Sequence, residues 1–82
     1  MESLETAHDH CMENRAEIEV SELCGCFYCL RTYDAKDVID WVDDGGTAVC
    51  PKCGIDSVLA DSSQLPVNDS SFLNAMYGHW FV

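Results

Sequence analysis

The sequence predicts a small α+β fold closed around a metal ion, and three observations carry that prediction. The chain has 82 residues and a mass of 9.1 kDa, which leaves room for one domain and one core. A core of that size contributes only about 3–5 kcal/mol, so a staple is expected. Six cysteines are present, and four of them form two Cys-x2-Cys pairs, Cys26/Cys29 and Cys50/Cys53, with twenty residues between the pairs. Around these pairs, short β-prone runs alternate with helix-start and helix-stop signals.

In chain order, Leu4, Cys11 and Ile18 recur every seven residues with Ala7 between them, a thin stripe that predicts a helix over about 4–15. Glu17-Ile18-Glu19-Val20 alternates instead, which suits a short strand before an extended approach to Cys24. Beyond Cys29, Asp34 has the character of an N-cap and Asp37 stands at the capping-box position. Val38, Trp41 and Val42 then share a face, so a short helix is predicted between the cysteine pairs, stopped by Gly45-Gly46. Thr47-Ala48-Val49 and Ile55 to Leu59 read as strands, the second burying Ile55 and Val58. Residues 60–68 read as a loop. Asn68 or Asp69 then caps a final helix carrying Phe72, Leu73, Met76 and Trp80, with Gly78 weakening its last turn by about 1 kcal/mol. The organisation expected is an acidic N-terminal helix or arm (1–22), a cysteine-bearing core (23–61) and a loop with a C-terminal helix (62–82), all in one domain.

The cysteine count alone allows fifteen disulfide pairings. Compartment and spacing decide between these and a metal. Residues 1–22 lack the basic and apolar segments of a secretory signal, and no run of 18 apolar residues exists. A cytoplasmic location is therefore expected, where clustered cysteines bind metal more often than they form disulfides. A two-residue gap lets both thiolates of one turn reach a single ion, and two such turns face to face close a tetrahedral shell with Zn–S bonds of about 2.3 Å. Pro51 stiffens the second turn and Gly54 supplies backbone freedom after it. Cys26, Cys29, Cys50 and Cys53 are thus the expected ligands. Zinc is favoured over iron, because a closed all-sulfur shell suits Zn2+ and no redox partner site is evident. Cys24 reads as a small neighbour packed beside the site. His8, His10 and Cys11 read as polar helix residues with one core-facing thiol. No orienting third group or oxyanion loop accompanies them, so catalysis is not expected.

The knuckles Cys26-Phe-Tyr-Cys29 and Cys50-Pro-Lys-Cys53-Gly54 resemble zinc-ribbon or rubredoxin-type knuckles. The runs CGCFYCLRTY, DWVDDGGTAVCPKCGIDSVL and FLNAMYGHWF further resemble a group of short bacterial and phage-associated cytoplasmic proteins of unassigned function, over about residues 10–82. The resemblance implies a zinc-ribbon-like core with helices packed around it, and it brings no activity.

Charge bounds the function. Fifteen acids against four Lys and Arg give a formal net charge of −11, which excludes a conventional nucleic-acid binder and disfavours docking on anionic membranes. With 48% hydrophobic residues the chain is too apolar to be disordered throughout. Seven of the acids and one arginine lie in residues 1–22, so the acidity leans to the N-terminal segment. The aromatic residues are expected mostly in the core around the metal, with Trp80-Phe81-Val82 packed back on the ribbon. The leading expectation is a non-enzymatic, zinc-stapled acidic module that binds a protein partner with a basic surface. One alternative is an inhibitor that imitates nucleic acid in the basic groove of a DNA- or RNA-binding protein. Another is a rubredoxin-like iron or thiol redox protein.

Overall fold

The segment Leu23-Cys24-Gly25-Cys26 alternates in a way that decides the architecture. In an extended strand successive side chains point to opposite faces. In the computed structural model, which describes residues 3–81, this segment is β1 (Leu23–Cys26), the central strand of an antiparallel sheet. Its neighbours are β2 (Thr32–Asp34) and β5 (Val58–Ala60), in the order β2-β1-β5. Cys24 stands opposite Tyr33 on one side and Ala60 on the other, and Cys26 opposite Val58.

Each face of this sheet owns a core. Cys24, Cys26, Tyr33, Val58 and Ala60 point to a cluster shared with Ile18, Ala35, Val38, Ala48 and Cys50. Leu59 and Phe27 point the other way, into a cluster with Ala7, Cys11, Leu65, Val67, Leu73 and Met76. The first face is covered by a hairpin of β3 (Asp40–Val42) and β4 (Thr47–Val49), in which Trp41 stands opposite Ala48. The second face is covered by α1 (Leu4–His8) and α3 (Ser70–Trp80). Gly25 is small for a reason of packing: a Cβ there would strike the Val67 carbonyl oxygen, so the 65–67 loop lies flat on the strand.

The N-terminal segment is part of this core rather than an arm beside it. The helix predicted over 4–15 runs as α1 and a 3-10 turn (Asp9–Cys11) and then breaks. Tertiary hydrogen bonds cause the break. The Glu13 amide donates to Thr47 Oγ1 (2.9 Å) and the Arg15 amide to the Gly46 carbonyl (3.0 Å), so neither continues the helix. Asn14, buried between them, donates to the Val58 carbonyl (2.8 Å) and the His10 carbonyl (3.0 Å) and accepts from the Ala48 amide (3.1 Å). The chain resumes as α2 (Arg15–Glu19), where the sequence had predicted a strand. Ile18 is the one apolar side chain of that alternation to go inward, while Val20 is exposed, so a single residue had fitted both periods.

The helix predicted between the cysteine pairs is the larger correction. Only Ala35–Asp37 turns, as one 3-10 turn, and the region that follows is the β3–β4 hairpin. Val38, Ile39 and Val42 are β-branched and favour strand. Within β3 Trp41 is half-buried between exposed Asp40 and Val42, a period of two that the shared helical face had concealed. Asp43, Asp44 and Gly45 all have positive φ (55°, 58° and 86°), so Gly45-Gly46 closes a hairpin instead of ending a helix. The Ile55–Leu59 strand forms later than expected, as β5, and Ile55 is half-buried outside both clusters.

The C-terminal helix is as predicted. Asp69 caps α3 by accepting from the Ser71 amide (2.8 Å), and Leu73 and Met76 are its buried face. The helix continues through Gly78 to Trp80. Trp80 Nε1 donates to the Leu4 carbonyl (3.1 Å), its ring lies 4.0 Å from that of His8, and Phe81 packs on Phe27 and Tyr28. Val82 lies outside the described residues. Most aromatics do not surround the four thiols: Phe27 is buried on the opposite sheet face, and Tyr28, Trp80 and Phe81 are exposed. Among the described residues no helix is long and apolar enough to cross a membrane.

Candidate metal centre

The two Cys-x2-Cys turns are built alike. Cys26 ends β1 and Cys50 follows β4, so each turn begins where a strand stops. In the first, the Leu30 amide returns to the Cys26 carbonyl (2.9 Å) and the Cys26 amide donates to Arg31 (2.9 Å). In the second, the Gly54 amide returns to the Cys50 carbonyl (3.0 Å) and the Cys50 amide donates to Ile55 (2.9 Å). The Tyr28 and Lys52 amides point at Cys26 Sγ and Cys50 Sγ, each at 3.4 Å. Both turns close on a left-handed residue, Gly54 (φ 81°) as the sequence suggested and Leu30 (φ 65°) without a glycine's freedom.

The four expected thiols converge. Their sulfurs lie within 4.8 Å of one another, and they form the one group of this kind among the described residues. Cys26 Sγ is 3.7 Å from Cys53 Sγ, and Cys29 Sγ is 3.7 Å from Cys50 Sγ. A disulfide would need about 2.05 Å. A tetrahedron with metal–sulfur bonds of about 2.3 Å has an edge of about 3.8 Å, which these separations match. All six cysteines are free thiols. The cluster therefore has the size and the donor set to hold a metal ion.

The surroundings treat the sulfurs unequally. Burial pushes the Cys26 thiol well above its ordinary range, although hydrogen bonds from Ser57 and from backbone amides oppose this. Burial also acts to raise Cys50. There the opposing donors win, the Tyr33 hydroxyl and the Lys52 and Cys53 amides together bringing it down to about 7. Burial likewise raises Cys53. Tyr33 itself is held far above the ordinary phenol range, first by burial and then by the facing Cys50 sulfur.

The remaining candidates stay apart from the site. Cys24 is fully buried two residues before Cys26 and points to the same face, and burial raises its thiol to about 12. His8 stacks on Trp80, His10 Nδ1 lies 2.8 Å from Glu17 Oε2, and Cys11 is buried in the helical core. Two neighbours were not singled out by the sequence: Asn14, which ties α2 to β4 and β5, and Ser57, whose Oγ lies 3.1 Å from Cys26 Sγ. Tyr33 is one of the aromatics expected around the metal, and it packs in the cluster of Cys26 and Cys50. Compared with protein-family models, curated proteins and solved structures, the chain matches none.

Proposed function

We propose that Cys26, Cys29, Cys50 and Cys53 bind one structural Zn2+, and that the zinc-stapled domain is a non-enzymatic module presenting an acidic surface to a protein partner with a basic face. The observation that carries the metal reading is the pair of 3.7 Å sulfur separations, matched to a tetrahedral edge. Zinc suits a closed shell of four thiolates in which two sulfurs are buried under a sheet. The partner reading rests on charge placement. The inner side of residues 3–22 is committed to the core, and Glu5, Asp9, Glu13, Glu19 and Glu22 remain exposed on the outer side. The arginine among them, Arg15, is engaged with Glu19 (3.2 Å), with the Gly45 carbonyl (3.0 Å) and over the Trp41 ring.

Metal analysis of the purified protein is expected to give one zinc per chain, and a red iron-loaded protein would overturn the assignment. Cys50→Ser is expected to abolish cooperative melting, because metal and fold are coupled with an apparent energy of about 10–16 kcal/mol in small zinc sites. A cooperative transition retained by that variant would contradict a structural site. For the interaction, a partner isolated from the host is expected to bind with an affinity that falls steeply as salt rises, and a flat salt response would exclude an electrostatic interface.

A further inference from the structure

The four sulfurs have an uneven outer shell. Cys26 and Cys50 are buried, whereas Cys29 and Cys53 are half-buried. Each buried sulfur accepts one amide, from Tyr28 or from Lys52, and each is also met by a side-chain hydroxyl. Ser57, just before β5, brings Oγ to 3.1 Å from Cys26 Sγ. Tyr33, in the middle of β2, packs in the same buried cluster as Cys50, whose sulfur its hydroxyl approaches. The two hydroxyls thus approach from the strands on either side of β1.

The Tyr33 hydroxyl is buried with no hydrogen-bond partner of ordinary geometry among the described residues. Leaving such a group unsatisfied is costly, so its orientation needs a reason. A neutral thiol is a weak acceptor. A metal-bound thiolate keeps negative charge and accepts more strongly, as donors to ionised groups show generally. A hydroxyl aimed at a cysteine sulfur is satisfied when that sulfur is a ligand.

We propose that Tyr33 and Ser57 are outer-sphere donors to the Cys50 and Cys26 thiolates, fixing the buried half of the shell so that the ion enters and leaves past Cys29 and Cys53. This rests on the reading of the four thiols as a metal site. Release is a ligand substitution: a donor atom of the incoming chelator replaces Cys29 or Cys53, whose thiolate takes a proton from water, and no electron moves. The buried sulfurs, each with an amide donor of its own and screened from water, are the last to let go.

The test uses the full chain loaded with Co2+, whose sulfur-to-metal charge-transfer band reports electron density on the thiolates. Tyr33→Phe and Ser57→Ala are each expected to shift that band to longer wavelength, since a thiolate that loses a donor gives up charge more easily. EDTA-driven release is expected to accelerate about ten-fold, at the low end of outer-sphere effects on metal sites. An unchanged band and release rate in both variants would overturn the proposal. A wild-type chain that binds no Co2+ would instead overturn the metal reading, a separate outcome. A second measurement needs no variant: wild-type zinc protein is exposed to EDTA with iodoacetamide, and modified cysteines are mapped over time. Cys29 and Cys53 are expected to be alkylated before Cys26 and Cys50, and the reverse order would sink the exchange route.

Discussion

Asn14 shows how much one side chain carries in a chain this short. Its amide bridges a helix and two strands from different sheets, with every bond buried or partly buried. Replacing it with Leu leaves the Ala48 amide and the Val58 carbonyl without partners, each at about 1–3 kcal/mol. Asn14→Leu is therefore expected to cost about 2–6 kcal/mol in urea unfolding of the metal-loaded protein, and a loss below about 1 kcal/mol would mean that water replaces the bridge. Nothing in the sequence distinguishes Asn14 from an ordinary surface asparagine. Its partners are 34 and 44 residues away, and local patterns do not register such distances. The four cysteines were legible for the opposite reason. Each pair is a local motif, and donor chemistry makes the two local motifs seek one another.

At the scale of elements, the β3–β4 hairpin is held by a turn that asks two aspartates to take positive φ, 55° at Asp43 and 58° at Asp44. A left-handed conformation costs a non-glycine residue about 1 kcal/mol, less for Asp than for bulkier types. Asp44→Gly is expected to stabilise the protein by about 0.5–1 kcal/mol and to slow hydrogen exchange across β3 and β4. Faster exchange in the variant would show that the aspartate side chain holds the turn. The same turn explains why the intervening helix was misread. Val38, Trp41 and Val42 satisfy helical spacing, yet Asp43-Asp44-Gly45-Gly46 is equally a hairpin signal. Whether the segment winds or folds back depends on whether β-branched residues find a sheet face to cover. The C-terminal helix was legible because its cap, its apolar period and its length agree with one another. The α2 segment was not, because with Ile18 alone facing inward no period can be fixed.

For the molecule as a whole, two cores back to back on one sheet make stability depend on thiols that are not ligands. Cys11, in the helical core, has its thiol raised from 9.0 to about 11, chiefly by burial and next by the Asp56 charge. The folded state therefore keeps the proton over a range in which the unfolded chain has lost it. Its contribution is complete below pH 9 and disappears as pH rises through about 11, a loss of about 3 kcal/mol. The stability difference between wild type and Cys11→Ala, both zinc-loaded, is expected to shrink across that window. A difference constant with pH would mean that Cys11 is more open to solvent than the fold implies. Between the two cores runs β1, and its alternation has a consequence for how the chain finds its fold. Moving β1 by one position against its neighbours would turn Cys24 and Cys26 towards the helices and Leu23 and Phe27 towards the hairpin. A purely apolar core tolerates such an exchange more readily, since one greasy residue substitutes for another. Four thiols that must meet are less forgiving: a one-residue shift takes Cys26 to the face opposite Cys50, so a metal ion held by all four would favour the aligned pairing of the central strand over its nearest misalignment.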